Sequence, residues 1–327
     1  MAIALVAVLL ASGFVGLGRL SPVQYSFAQD DPSASPHGAA PPESPIPLLM
    51  ETGVVHALNF NGIDYYLYIP NSARSGQPIT VLAAFRGVGD NADEFAQGLA
   101  PQAEMNGWVL VVPKFNYGDW KQIETLKADG KSNFPWLKSL LDTLSTQTGL
   151  TVRDKLLLYG FSRGGQAAHR FALLYPDKVM AVASMSAGSY TLPSACVPES
   201  DNQAPLDFPL GVADINSYCG KRFDPEAVKK IPFWIGVGDK DTASGDVPQD
   251  FTTYIGTNRV ERAKAFAKAI ANLGAKEELV IFPNLGHGET NESRTGAMAF
   301  LEKAEMDQLA EVAANQQTDP GQPAAGS

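Results

Sequence analysis

The sequence predicts an α/β fold, a doubly wound and mostly parallel sheet flanked by helices, and three observations carry that expectation. Continuous apolar runs of strand length recur along the chain, among them 79–85 (ITVLAAF), 179–185 (VMAVASM) and 231–237 (IPFWIGV). Such runs suit strands covered on both faces, whereas half-exposed strands alternate apolar with polar residues. Between them lie longer segments with apolar residues at helical spacing, and strands alternating with helices imply parallel crossovers. The third observation is 155–166, KLLLYGFSRGGQ, where an apolar run meets a glycine-flanked serine and then a helical segment. A strand that turns straight into a helix brings backbones too close for side chains, so small residues are required there.

Length and charge set the outer limits. The 327 residues are 45% hydrophobic, enough to bury one sizeable core. The net charge of −10 is spread along the chain, which argues against nucleic acid as a partner and reads as an acidic, solvated surface. Residues 2–18 are almost wholly apolar and end at Arg19, and Ser26-Phe27-Ala28 offers a small-x-small cleavage site. Together they read as an export signal over 1–28, placing the protein in a secreted, periplasmic or extracellular location. No Lys or Arg precedes the run, so an uncleaved membrane anchor is the alternative, since about 20 apolar residues span a bilayer. Only in that case is the membrane a partner. Residues 29–47, rich in Pro, Ala and Ser, read as a linker, and 312–327 as a disordered tail. The folded domain is then 48–311.

Within that domain, 54–58 and 63–69 alternate and are joined by Asn59-Phe60-Asn61-Gly62, a hairpin signal. The strand 79–85 runs into the glycine-rich loop Arg86-Gly87-Val88-Gly89-Asp90-Asn91, followed by a helix over 92–106 and a buried strand, 108–113. Residues 114–133 read as a long loop or irregular helix. The segment 134–148 reads as a helix with Leu137, Leu140, Leu141 and Leu144 on one face. After the serine turn, a helix ends at Tyr175-Pro176, and strands follow at 179–185 and 231–237. A periodic helix, 258–273, is closed by Gly274 as its C′ residue, then come a strand at 278–282 and a last helix, 290–309.

In open α/β sheets ligands bind beyond the carboxyl ends of the strands, so the residues just past each strand matter most. Ser162 follows the strand before the turn, Gly238-Asp239-Lys240-Asp241 follows 231–237, and Pro283-Asn284-Leu285-Gly286-His287-Gly288 follows 278–282. A hydroxyl, a carboxylate and an imidazole thus arrive at one edge in the order Ser, Asp, His. Serine is a weak nucleophile at neutral pH and needs a base, here His287, whose tautomer a carboxylate would fix. Of the four histidines, His37 lies in the linker, His56 within the first strand and His169 on the helix after Ser162. Asp241 is the favoured acid, and Asp239 is the alternative, with a turn-capping role its simpler reading. Acyl transfer also needs donors for an oxyanion: the N–H of Arg163, next to the nucleophile, and the N–H of Val88 in the glycine-rich loop.

The motifs FRGVGDNADEF, VVPKF, GFSRGG, GVGDKDT and FPNLGHG follow one another at suitable separations. On these motifs the chain resembles the α/β-hydrolase superfamily over about 54–301. Within it, the chain is similar to the secreted polyhydroxybutyrate-depolymerase or feruloyl-esterase-like branch. The resemblance implies a cofactor-free serine hydrolase acting on small or polymeric carboxylic esters through an acyl-enzyme. Most members of that branch carry His-Gly where this chain has Arg86-Gly87, which leaves the substrate open. A serine peptidase on the same fold and a catalytically silent binding protein are the alternatives.

The segment between the strands 179–185 and 231–237 is longer than one crossover needs and contains Cys196 and Cys219, the only two cysteines. In an exported protein these are expected to form a disulfide across it. This excursion and a second, 242–257, are expected to overhang the active-site edge. Aromatics there and after the strand 108–113 (Phe115, Tyr117, Trp120, Tyr190, Phe251, Tyr254), together with Arg86, are expected to line an acyl or aryl pocket. No metal-ligand set is visible, and the GVGDNA loop lacks the lysine of a nucleotide-binding loop.

Overall fold

The computed structural model of the protein describes residues 49–197 and 204–318. The expected export signal, its cleavage site and the linker to residue 47 lie outside these residues. Among the described residues no helix is long and apolar enough to cross a membrane.

Val55–Phe60 (β1) and Ile63–Tyr68 (β2) form an antiparallel hairpin. Its turn is Asn61-Gly62 alone, with φ of 47° and 82°, so β1 runs two residues further than expected. Two left-handed residues in a tight turn match the twist of the flanking strands, and Asn-Gly is the pair that tolerates them. Pro78–Ile79 (β3) is set apart from Val81–Phe85 (β4), dividing the single strand expected over 79–85. Ala92–Asn106 (α1) starts at Asn91, whose side chain accepts from the Asp93 N–H, and ends at Gly107 with φ of 68°. Val109–Pro113 (β5) follows. The irregular stretch after it holds Ile123–Ala128 (α2) and a π turn, Asp129–Asn133, that runs directly into Phe134–Thr148 (α3).

Thr151–Val152 (β6) pairs with β3 in a small parallel sheet. Leu156–Phe161 (β7), Arg163–Leu174 (α4) and Val179–Met185 (β8) then complete the strand–turn–helix–strand unit around Ser162. The excursion after β8 contains Asn216–Cys219 (α5) and Pro225–Val228 (α6) before Phe233–Gly238 (β9). Thr252–Ile255 (α7), Arg259–Leu273 (α8), Glu277–Phe282 (β10) and Asn291–Thr318 (α9) close the chain. The last helix continues past 309 into the segment expected as tail, reaching Thr318.

The main sheet has the order β1-β2-β5-β4-β7-β8-β9-β10. Only the β1/β2 and β2/β5 pairs are antiparallel, and every other pair is parallel. Alternate residues face opposite layers. Val81, Ala83 and Phe85 join Leu137, Phe171 and Phe266 in one core, which seats α3, α4 and α8. Leu82, Ala84, Leu157 and Tyr159 join Leu99, Ala103 and Leu301 in the other, which seats α1 and α9. This is the doubly wound arrangement expected, and it brings the carboxyl ends of β4, β7, β8, β9 and β10 to one edge.

The expected disulfide does not form: Cys196 and Cys219 are both free. Cys196 lies in an antiparallel bridge with Pro205, whereas Cys219 closes α5. The Cys219 thiol turns back on its own turn, facing the carbonyls of Ile215 and Lys221 at 3.4 Å each. A shared excursion brought the two residues into one region of the chain but did not aim their side chains at each other.

Candidate active site

Gly160 and Gly164 make the turn possible. A Cβ on Gly160 would sit 2.2 Å from the Gly164 carbonyl oxygen, and one on Gly164 would sit 1.9 Å from that of Phe85. Ser162, between them, holds φ 54° and ψ −114°, a conformation that costs a non-glycine residue about 1–3 kcal/mol. Its neighbours enforce it: the Ser162 N–H donates to Met185 O (2.8 Å), and its carbonyl accepts from the Gln166 N–H (3.2 Å). A serine before a helix ordinarily caps the first turn with its hydroxyl. Ser162 makes no such side-chain cap bond, so Oγ is left for another partner.

That partner is His287. The Ser162 hydroxyl and His287 Nε2 are 2.9 Å apart, and His287 Nδ1 is 2.9 Å from Asp241 Oδ2. A carboxylate can only accept, so Nδ1 carries the proton and Nε2 presents a lone pair to the hydroxyl. The two loops that deliver these side chains are laced together. The Asp239 N–H donates to Phe282 O (3.0 Å), the Lys240 N–H to Leu285 O (2.9 Å), and Lys240 Nζ to Asn284 Oδ1 (2.9 Å). Asp239 is exposed, while the turn from Gly238 O to the Asp241 N–H carries Asp241 inward to full burial. Asp241, not Asp239, therefore meets the histidine. The imidazole stacks on Phe161, with centroids 5.2 Å apart, and is about 31% exposed.

The glycine-rich loop lies beside the serine turn, where a Cβ on Gly87 would sit 3.1 Å from the Phe161 ring. The Gly87 N–H is taken by Asp90 Oδ2 at 2.8 Å, which turns the loop and leaves the Val88 N–H without a partner among the described residues. Arg86 does not point into an open pocket. Its Nη1 donates to Gly87 O (2.8 Å) and its Nη2 to Phe115 O (3.0 Å), so it ties the loop to the segment after β5. The Arg86 and Arg163 guanidinium carbons lie 5.3 and 4.6 Å from the centroid of one ring, Tyr117. Arg163 is further held by Asp129, at 2.7 Å.

Most of the aromatics expected to line a pocket are packing residues. Phe115, Tyr117, Tyr190 and Phe251 are buried in the core. Phe115 stacks on Phe85 and meets Trp136 edge-on, and Tyr190 stacks on Phe266 at 4.5 Å. Burial pushes the Tyr117 and Tyr190 hydroxyls well up, which keeps them neutral. Trp120 is half-buried beside Gly188, and Tyr254 is exposed, so these two remain at the surface. His169 packs as expected on α4. Its Nδ1–H donates to Gly165 O and its Nε2 accepts from the Thr191 N–H, both at 2.9 Å. Burial holds its pKa well below the usual imidazole range, so it stays neutral. His56 bonds Glu51 O on the hairpin, far along the chain from these loops, and His37 lies outside the described residues.

Three charged groups given no role from the sequence brace these elements. Asp90 braces the glycine-rich loop, and Arg259 Nη1 reaches Asp241 Oδ1 at 3.2 Å. Glu289, two residues past His287, accepts from the Tyr159 hydroxyl and pairs with Arg294 at 3.4 Å. Burial raises the Glu289 carboxyl above its usual range against these two partners. Among the described residues no group of three or more His, Cys, Asp or Glu side chains gathers as a metal site.

No protein-family model matches the chain, and no curated protein matches it significantly. Solved structures do. Poly(aspartic acid) hydrolase-1 from Sphingomonas sp. KT-1 superposes with a TM-score of 0.59 at 20% identity, covering 77% of this chain and 99% of that one. LpqC, a poly(3-hydroxybutyrate) depolymerase from Bordetella parapertussis, gives 0.58 at 19% identity, covering 77% and 91%. EstE1, a thermostable carboxylesterase from a metagenomic library, gives 0.51 at 15%, covering 78% and 90%. Together with the eight-stranded, mostly parallel sheet and its two helical layers, these superpositions show that the chain has the α/β-hydrolase fold.

Proposed function

We propose that the protein is a serine hydrolase of carboxylic esters that works through an acyl-enzyme on Ser162. One observation carries the reading: an unbroken chain of two 2.9 Å contacts from Ser162 Oγ through His287 to the buried Asp241. In this reading His287 Nε2 takes the hydroxyl proton as Oγ bonds to the ester carbonyl carbon. The carbonyl π electrons move to oxygen, and the backbone N–H groups of Val88 and Arg163 receive that charge. Losing one such donor costs about 3–4 kcal/mol of barrier. The tetrahedral centre then collapses, the C–O bond to the alcohol breaks, and His287 hands its proton to the departing oxygen. Water, deprotonated by the same imidazole, repeats the sequence on the acyl-enzyme and frees the acid and Ser162.

Two neighbours act, by their names, on polymers, and the exposed position of Val88 at the loop tip supports a site open enough for a chain end. The alcohol and acid that the natural substrate joins are therefore best sought among polymeric as well as short esters. Hydrolysis of p-nitrophenyl butyrate by the wild type, and its loss by about three orders of magnitude or more in Ser162→Ala, is the expected result. A fluorophosphonate should label the wild type at Ser162. Equal hydrolysis by both proteins would sink the reading.

A further inference from the structure

Asp241 has two carboxylate oxygens, and His287 uses one. The other, Oδ1, accepts from Arg259 Nη1 at 3.2 Å, and both side chains are about 1% exposed. Arg259 is the first residue of α8. Its Nη2 donates to the backbone oxygen of Asp246 (2.8 Å) and lies 3.2 Å from the Asp246 carboxylate, in the excursion after β9. That excursion is in turn tied to the segment after β5, where Lys121 Nζ donates to Gly245 O at 2.8 Å. The guanidinium is thus a fork, with one prong under the acid that orients the histidine and the other on a surface loop. A planar fork of fixed geometry is what arginine offers and lysine does not.

The other charged and titratable groups around this pair are accounted for. Arg262, one turn further on α8, faces the carbonyls of Gly188 and Gly256, and burial followed by the Arg259 charge brings it down to about 10. Tyr190, from the excursion after β8, is held neutral by burial. Asp246 is half-exposed. On the far side Glu289 is engaged by Tyr159 and Arg294, and Lys240 by Asn284. Asp90 is taken by the Gly87 N–H. No other cation contacts the Asp241 carboxylate among the described residues.

We propose that Arg259 is a positioning residue of the Ser162–His287–Asp241 site, fixing the Asp241 carboxylate under His287 and partly neutralising it. The inference rests on the serine-hydrolase reading above. Its consequence has a definite sign. Taking a proton gives the imidazole a positive charge, which Asp241 favours and the guanidinium behind it opposes. Arg259 therefore works against the imidazolium that Asp241 alone favours. Removing the guanidinium charge favours the protonated ring and moves the acid limb of the pH–rate profile upward. An interaction of this kind is worth about one pH unit.

The experiment is the pH dependence of kcat/KM for p-nitrophenyl butyrate in the wild type, Arg259→Gln, Arg259→Lys and Asp246→Asn. The acid limb should move up by about one unit in Arg259→Gln and stay near the wild-type position in Arg259→Lys. It should move down by a smaller step in Asp246→Asn, where a competing anion is lost. A purely structural role lowers kcat without moving the limb. The imidazole titration of His287, followed by NMR with His287→Ala for assignment, gives the same comparison without requiring turnover. Should Ser162→Ala retain wild-type activity, the hydrolase reading fails, and the NMR midpoints still judge Arg259. A limb and midpoint unmoved in Arg259→Gln, or moved as far in Arg259→Lys, overturn the proposal. If Arg259→Gln does not fold, an unmoved or upward limb in the surface variant Asp246→Asn does so.

Discussion

Asp241 answers two opposite demands with its two oxygens, orienting an imidazole through Oδ2 and balancing a buried guanidinium through Oδ1. An amide in its place meets neither well. Asparagine can offer its NH₂ group to His287 and so favour the tautomer whose lone pair points away from Ser162. A comparable change in a Ser-His-Asp site lowers kcat by about four orders of magnitude. It also leaves the Arg259 charge without its buried partner, and breaking a buried pair from one side costs about 3–5 kcal/mol. If the proposed hydrolase reading holds, Asp241→Asn is therefore expected to lose nearly all hydrolysis of p-nitrophenyl butyrate and to melt lower, in parallel activity and thermal-unfolding assays. Asp239→Asn is the matched control: its side chain is exposed, and both readouts should stay at the wild-type level. Loss of activity in Asp239→Asn with Asp241→Asn active would reverse the assignment.

Among the elements, the β7–Ser162–α4 unit was the most legible stretch of the sequence, because its constraint is steric and local. Gly164 lies inside a helix, where alanine would ordinarily be favoured by up to about 1 kcal/mol. Here the added Cβ would lie 1.9 Å from the Phe85 carbonyl oxygen, and β4 cannot move aside without breaking its pairing with β7. Gly164→Ala is expected to cost about 3 kcal/mol and to lower the melting temperature by roughly 6 to 10 °C. Gly245→Ala, at an exposed loop position with nothing near the new Cβ, should leave it unchanged. The loops carrying Asp241 and His287 were legible for a related reason, since each directly follows an apolar strand and the sheet brings such ends to one edge. What escaped was decided by partners distant in sequence. Arg259 opens a periodic helix and looks like any solvated first-turn residue until Asp241 and Asp246 close on it. Phe115, Tyr117 and Tyr190 were expected in a pocket because aromatics near a site suit either role, and only their ring neighbours distinguish the two. The spacing of Cys196 and Cys219 fixed no direction for either thiol.

At the scale of the whole molecule the charge is distributed against its own sum. The chain carries a net −10, yet its buried charged side chains include four arginines, Arg163, Arg170, Arg259 and Arg262, and two aspartates, Asp129 and Asp241. These arginines belong to α4 and α8, on the sheet face that carries the Ser162 turn. Asp129 holds two of them, with Oδ1 2.7 Å from Arg163 and Oδ2 3.4 Å from Arg170. The network continues outward from Arg170 to Thr191 and Ser189 in the excursion after β8, and Thr191 bonds Pro209 O. One carboxylate thus joins the π turn, α4 and the excursion after β8. Burial drives Arg170 down to about 9 while Asp129 opposes it, so the guanidinium stays charged at neutral pH. Asp129→Asn leaves two sealed guanidinium groups facing one another and should destabilise the protein by about 3–5 kcal/mol. Because the groups are sealed from solvent, about 0.5 M salt should recover little of that loss, whereas it would erase an exposed pair of the same sign. A double-mutant cycle with Arg163→Met should show a coupling of about 1–3 kcal/mol, since removing one cation relieves the repulsion that the first substitution created. Urea unfolding of the four proteins measures all three quantities. An Asp129→Asn chain within about 0.5 kcal/mol of the wild type, the range of an ordinary surface change, would show that α4 is held by its apolar contacts alone.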